Sequence, residues 1–258
     1  MLSRKRQKKY FKKRWKALKA HLLAFFETIN PEELHRMRVE IKKINALIIF
    51  LHDYSRKKTI SDSFKPIKKI FKRAGLTRSA HVNLQFVEKY HLFHEEFKNE
   101  QNRNLVYQTG KFCQKRDEYL SLIKEAHKDI SGNFRNINSK FILQVFEKQK
   151  NQLSWLFAID NPEKKLHRCR KKIKFLLYLH HMLPKRIAGK LQVDTNYLSQ
   201  LEESIGKWHD TVSAMELLKI KDYSDKAVLT QLEKQAQRTL HLINTRSSDF
   251  LEKVKGKK

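Results

Sequence analysis

Two stretches of the chain carry histidine, arginine and lysine at the spacing His-x-x-Arg-x-x-x-Lys. The residues are His35, Arg38 and Lys42 in the first stretch and His167, Arg170 and Lys174 in the second. An arginine can donate paired hydrogen bonds to one oxyanion, a lysine adds a mobile positive charge, and a histidine donates from its ring nitrogens. This combination of side chains is suited to holding phosphate-like anions.

Each set must lie on one face of a helix to act together. An α-helix turns by about 100° per residue, so His35, Arg38 and Lys42 fall within about 60° of one another. The apolar residues of the same two stretches fall on the opposite side of the helix. They are Leu34, Met37, Ile41, Ile44 and Ile48, and Leu166, Cys169, Ile173 and Leu176. The sequence therefore predicts two helices that each bury an apolar stripe and present a basic row.

A charged row on a helix is most often a solvated surface. These rows, however, place like charges at i+3 and i+4, which destabilises a helix by about 0.2–0.5 kcal/mol per pair. The same row also occurs twice, and each copy contains a histidine. We therefore favour anion binding over simple solvation.

The two stretches are parts of an internal repeat. Residues 30–51 and 161–183 share an initial Asn-Pro-Glu and, after a one-residue insertion, six further identities at an offset of 132 residues. Gly and Pro together number only ten, which favours long helices over sandwiches, barrels or βαβ arrays. We predict an all-α fold of two tandem four-helix bundles, residues 1–130 and 140–258, joined by a linker at about 129–139.

The predicted helices follow the apolar periodicity and the capping residues. They cover 6–28, a segment starting at Asn30, 66–97 and 104–128 in the first unit, and 140–158, a segment starting at Asn161-Pro162, 196–220 and 225–255 in the second. Asn30 is a suitable N-cap, Pro31 suits the first helical position, and Glu33 can complete a capping box. Trp15, Trp155 and Trp208 are predicted to pack in the core.

Composition limits the remaining classes of function. Lys and Arg outnumber Asp and Glu by 56 to 27, and a net charge of +29 predicts an anionic partner. No run of about 18 apolar residues is present, which predicts no membrane span. Two cysteines are too few for a zinc site or a disulfide framework, and six glycines give no glycine-rich phosphate loop. We therefore expect no metal, no cofactor and no catalysis. The first 20 residues lack the apolar stretch of a secretory signal, and we expect a cytoplasmic location.

The repeated row and a second pair of segments resemble the CHAD family, the conserved histidine α-helical domain. Residues 201–218 are similar to that family's Leu-Gly-x-x-Arg/Asn-Asp-x-x-Val segment, with Asp210 and Val212 matching and His209 in place of Arg or Asn. The segment 70–87 keeps Gly75 and Arg78. The resemblance covers essentially the whole chain.

The chain also departs from that pattern. Ser79 replaces the family's Asp in the first unit, and Phe175 stands where the first row has Lys43. These departures predict that the two halves bind the ligand unequally. We further expect Gly75 and Gly206 to serve helix packing and Asp210 to orient a basic neighbour.

The resemblance implies two bundles related by a pseudo-twofold axis, with a basic channel or groove between them that binds inorganic polyphosphate without catalysis. It also implies association with polyphosphate granules. The predicted binding residues are His35, Arg38, Lys42, Lys43, Arg78, His167, Arg170, Lys171 and Lys174. The alternative is a non-specific nucleic-acid-binding protein, since both ligands are polyanions.

Overall fold

The computed structural model describes residues 1–90, 95–158, 162–220 and 226–255. Every extended regular element in these ranges is a helix, which confirms the predicted all-α class. The helices are α1 (Arg4–Thr28), α2 (Pro31–Ser55), α3 (Lys58–Ser63), α4 (Lys65–Lys89), α5 (Glu95–Cys113), α6 (Arg116–Ser131), α7 (Ser139–Ala158), α8 (Pro162–Met182), α9 (Lys185–Ala188), α10 (Thr195–Ile220), α11 (Lys226–Ser247) and α12 (Phe250–Lys253). Within the described ranges, none of them is long and apolar enough to cross a bilayer.

The chain divides into two compact units. The N-terminal unit is Ser3–Asn136, and the C-terminal unit is Ile137–Lys258 together with Met1–Leu2. Leu2 and Ile137 form a one-residue antiparallel bridge, with backbone hydrogen bonds of 2.8 and 3.0 Å. The chain therefore enters and leaves the N-terminal unit at neighbouring points.

The N-terminal unit is built around the packing of α1 on α2. The inner side of α1 buries Phe11, Trp15, Leu18, Leu22 and Phe25. Asn30 caps α2 as predicted, because its Oδ1 accepts a hydrogen bond from the Glu32 amide at 2.9 Å. The capping box is wrong: the carboxylate of Glu33 lies 2.6 Å from Nδ1 of His21 on α1 and fastens the two helices together.

The outer side of α1 is almost entirely basic. The exposed basic residues are Arg4, Lys5, Arg6, Lys8, Lys9, Lys12, Lys13, Lys16 and Lys19. No acidic residue occupies the first turn, so these charges oppose the positive end of the helix dipole. The helix is held by its buried side, since its own charges act against it.

Several predicted helix boundaries are wrong. The predicted helix 104–128 is divided at Gln114–Lys115, between α5 and α6. The predicted helix 66–97 ends too late, because α4 ends at Lys89 and the last residues of the prediction belong to α5. Asp117 and Glu118 in the first turn of α6 favour a new helix start, and Tyr119 packs on Phe112 across the turn at 5.0 Å. The predicted break 53–63 contains α3, and 225–255 is divided into α11 and α12. The predicted cap Asn161 lies outside the described residues.

In the C-terminal unit, α10 packs against both α8 and α11. The apolar stripe predicted for α8 is buried, with Leu166, Cys169, Ile173 and Leu176 all at zero exposure. Trp208 is in the core as predicted, as is Trp15 in the N-terminal unit. Trp155 is not, because its side chain on α7 is 61% exposed.

Candidate anion-binding site

The basic row of α2 meets α4 in what we call the N-terminal cluster: His35, Arg38 and Lys42 on α2 with Phe71, Gly75 and Arg78 on α4. The Arg38 guanidinium donates a hydrogen bond to the carbonyl of Phe71 and lies 3.9 Å from the centre of its ring. The Lys42 ammonium lies 5.8 Å from the same ring centre. The row is therefore held against the neighbouring helix and not free in solvent.

The basic row of α8 meets α10 in what we call the C-terminal cluster: His167, Arg170, Lys171 and Lys174 on α8 with Glu202, Gly206 and His209 on α10. Arg170 donates from Nε to Oε1 of Glu202 at 2.7 Å, and the Lys174 ammonium lies 2.9 Å from the same oxygen. Two of the predicted anion-binding side chains already hold a carboxylate here.

One glycine makes room for the arginine in each cluster. A Cβ at Gly75 would lie 2.9 Å from Nη1 of Arg38, and a Cβ at Gly206 would lie 2.8 Å from Nη2 of Arg170. The absent side chain lets each guanidinium lie flat across the neighbouring helix. The packing role expected of these glycines is therefore to leave room for an arginine of the neighbouring helix. The helix α4 continues through Gly75 without a break.

Charge is concentrated around Arg78 in the N-terminal cluster. Burial and the nearby positive charge of Arg78 lower the pKa of Arg38 to about 10. The pKa of His35 is also lowered, first by burial and then by Arg78; Glu32 opposes this shift, and Lys42 and Arg38 add smaller contributions that lower the pKa. His35 is therefore mainly neutral at neutral pH, while the guanidinium of Arg38 stays charged.

In the C-terminal cluster the pKa of His167 is lowered as well. Partial burial, Lys171, His209 and Arg170 lower the pKa of His167, in that order. The rings of His167 and His209 lie 5.6 Å apart. An anion bound beside either cluster would reverse these shifts, because a negative charge favours the imidazolium form.

Of the remaining predicted binding residues, Lys43 stands apart from the clusters and Lys171 acts in its cluster only through its charge. The Lys43 ammonium is 2.6 Å from Oε1 of Glu40, a carboxylate that also pairs with Arg14 of α1 at 3.4 Å. Lys43 thus lies on the α1 side of α2, away from the row. Lys171 is exposed and takes part through its charge on His167.

Sequence reasoning missed His81, which lies beside the N-terminal cluster, and Glu202 of the C-terminal cluster, and it misassigned Asp210. His81 lies one turn beyond Arg78 on α4, and its pKa is lowered by burial and by Arg78; the i+3 spacing is the signal that could have found it. Glu202 was not singled out, although it is the acid that orients Arg170. Asp210 was expected in that role, but it is exposed and makes no ion pair with any described residue.

The described residues contain no group of three or more His, Cys, Asp or Glu side chains arranged to hold a metal ion. Cys169 is buried, and burial raises the pKa of its thiol to about 12. Cys113 is only half-buried, and burial raises its pKa too. Both cysteines are therefore protonated thiols at neutral pH.

The described residues form a basic, all-α protein in which an arginine of each basic row lies over a glycine of the neighbouring helix. Comparison with known proteins identifies its family: the CHAD domain family model matches residues 9–219, and the chain belongs to that family. The chain is also similar in fold to the crystal structure of the CHAD domain from the plant Ricinus communis, with a TM-score of 0.63 and 16% identity over 96% of this chain and 88% of that one. No curated protein matches the sequence.

Proposed function

We propose that the chain binds inorganic polyphosphate through its two basic clusters and does no chemistry on it. The observation that carries the proposal is the N-terminal cluster, where Arg78 lies close enough to lower the pKa of both Arg38 and His35. Within the described residues, no carboxylate lies within 4 Å of the Arg38 guanidinium to offset this repulsion. An anion bound there would relieve it.

Polyphosphate suits such a site better than a ligand that must be read base by base. It is a flexible chain of phosphates with no bases, so a binder needs donors and positive charge along its path. Arg38 is fixed by Phe71 and Gly75, which reduces the entropy lost when it holds an oxyanion. We place the protein in the cytoplasm, in association with polyphosphate granules, as part of the same proposal.

The exposed basic face of α1 favours a second candidate, non-specific binding to nucleic acid. Its nine exposed Lys and Arg residues lie along about 22 Å of helix, and their charge alone would attract any phosphate backbone. In that case the clusters would contribute no more than any other positive surface of the same charge.

A competition experiment with charge-matched variants separates the two candidates. The cluster variant is Lys42→Ala/Arg78→Ala, which keeps the contacts of Arg38 with Phe71 and Gly75. The control is Lys9→Ala/Lys16→Ala on α1. Each variant loses two positive charges, and circular dichroism checks its folding. Labelled long-chain polyphosphate competes against duplex DNA and RNA at about 0.15 M and about 0.5 M salt, because a purely electrostatic complex weakens steeply between them.

Dedicated polyphosphate binding predicts that polyphosphate outcompetes both nucleic acids at both salt concentrations. The cluster variant should then lose at least about tenfold in affinity, since charged hydrogen bonds contribute about 1.5–3 kcal/mol each, while the control stays close to wild type. Equal losses in the two variants, with nucleic acids competing on equal terms, would establish the second candidate instead.

A further inference from the structure

The two clusters have the same framework and a different side chain at one position. Phe71 precedes Gly75 by four residues on α4, and Glu202 precedes Gly206 by four residues on α10. Each therefore lies one helical turn before the glycine that receives the arginine. In one cluster this position holds a ring, and in the other it holds a carboxylate.

The carboxylate occupies the place where an anionic ligand would bind. Its Oε1 lies 2.7 Å from Nε of Arg170 and 2.9 Å from the Lys174 ammonium, and its side chain is only 17% exposed. Burial acts to raise the pKa of Glu202, but hydrogen bonds donated by Lys174 and Arg170 outweigh it and hold the pKa below its ordinary value. Glu202 is therefore ionised at neutral pH and neutralises one of the two cations.

Phe71 is uncharged and leaves the charge of Arg38 intact. Its ring lies 3.9 Å from the guanidinium carbon of Arg38, a cation–π arrangement that attracts the guanidinium without neutralising it. A phosphate approaching Arg38 meets a full positive charge. A phosphate approaching Arg170 meets a cation whose charge is already offset by a carboxylate at 2.7 Å, whereas the hydrogen bond from Arg38 goes to a neutral carbonyl.

We propose that Glu202 sets the affinity of the C-terminal cluster by competing with phosphate for Arg170 and Lys174. Resting on the proposed function, this makes the N-terminal cluster the tight site and the C-terminal cluster a weak one that opens only when Glu202 is displaced. A short polyphosphate then fills one site per chain. A long polyphosphate anchored at the tight site supplies further phosphates at high effective concentration and can displace the carboxylate, so the protein discriminates by chain length.

Calorimetric titration with tripolyphosphate tests the proposal. Glu202→Gln keeps the shape of the side chain and removes its charge. The matched control is Glu203→Gln, which removes the same charge one residue away, where Glu203 is 64% exposed and pairs only with Lys207 among the described residues. Wild type and the control should bind tripolyphosphate measurably at one site, the N-terminal cluster. In Glu202→Gln the C-terminal cluster should become a second measurable site, with an affinity at least about tenfold higher than it has in wild type.

Thermal unfolding separates this role from a structural one. Glu202→Gln leaves Arg170 and Lys174 without their carboxylate, so the ligand-free variant should unfold at a lower temperature than wild type. Tripolyphosphate should then raise the unfolding temperature of the variant by more than it raises that of wild type. A merely structural Glu202 would lower the ligand-free temperature without enlarging the ligand-induced increase.

A second pair of variants decides the matter if Glu202→Gln does not fold. Because Arg170 is already paired with Glu202, Arg170→Gln should change tripolyphosphate affinity less than twofold, whereas Arg38→Gln should reduce it about tenfold. Equal losses in this pair, or identical binding by Glu202→Gln and Glu203→Gln when wild type binds, would overturn the proposal alone. Absence of tripolyphosphate and long-chain polyphosphate binding by wild type and all variants would overturn the proposed function as well.

Discussion

Replacing Gly75 with alanine tests whether the Arg38 guanidinium lies as close to the backbone of α4 as the structure has it. In an ordinary helix interior, Gly→Ala stabilises by about 0.5–1 kcal/mol because alanine loses less backbone entropy on folding. At position 75 the new methyl group would lie 2.9 Å from Nη1 of Arg38 and force the guanidinium off the Phe71 carbonyl. Losing that charged hydrogen bond costs about 1.5–3 kcal/mol. The expected net change is a destabilisation of about 1–2 kcal/mol.

Gly110 provides the matched control, since it lies in α5 and a Cβ there would meet nothing within 4 Å. Gly110→Ala should therefore stabilise the protein by about 0.5–1 kcal/mol. Urea denaturation followed by circular dichroism gives both free energies of unfolding. The two substitutions are chemically identical, and the structure predicts opposite signs for them.

A double-mutant cycle identifies Arg38 as the cause. In an Arg38→Ala background the methyl group at position 75 has nothing to displace, so Gly75→Ala should become stabilising, as Gly110→Ala is. The reasoning would be refuted if Gly75→Ala stabilised the protein with Arg38 present, or if it destabilised equally in both backgrounds. The second result would assign the cost to the backbone or to another neighbour of α4.

Three further results are expected. Polyphosphate affinity should rise as the pH falls from about 8 to 6, because a bound anion raises the lowered pKa values of His35 and His167 and binding takes up protons; affinity that is constant in wild type would remove both histidines from direct contact. The ligand-free protein should lose stability as the pH falls from about 7 through the lowered folded-state pKa values, because the unfolded histidines, with pKa 6.5, bind more protons than the folded ones; a denaturation midpoint that rises on acidification would contradict this. Raising the salt concentration from about 0.05 to 0.5 M should raise the unfolding temperature, since a net charge of +29 repels itself; a lower temperature in high salt would mean that ion pairs outweigh the repulsion.

The sequence predicted the elements that carry their own local signals. The cap at Asn30, the apolar stripe of α8 and the basic row of α2 all follow from residue types at helical spacing, and the structure has them where expected. The turn between α5 and α6 was missed because neither Gln114 nor Lys115 is a turn-forming residue. Asp117 and Glu118 in the first turn of α6 are a local signal that was not used, while the packing of Tyr119 on Phe112 across the turn is a contact that no local pattern expresses.

Contacts between helices account for most of what was missed in the clusters. Aligning the repeats places Glu202 opposite Phe71, but which side chain of α8 it meets depends on how α8 and α10 pack. Asp210 was favoured because it matched a motif, but it is exposed and no described cation lies within ion-pair distance of it. The sequence predicted only that Gly75 and Gly206 serve packing, because a helix does not otherwise need glycine. It did not predict that an arginine of the neighbouring helix occupies the space at each glycine.

The bridge between Leu2 and Ile137 makes the N-terminal unit an insertion in the topology of the chain. A pulling force applied to the two ends is carried by the C-terminal unit and by this bridge, while Ser3–Asn136 stays outside the loaded path until the backbone hydrogen bonds of 2.8 and 3.0 Å break. Because the two crossing points are adjacent, a short peptide could also join residue 2 to residue 137 or close Ser3–Asn136 on itself. Each basic cluster could then be obtained on a separate polypeptide.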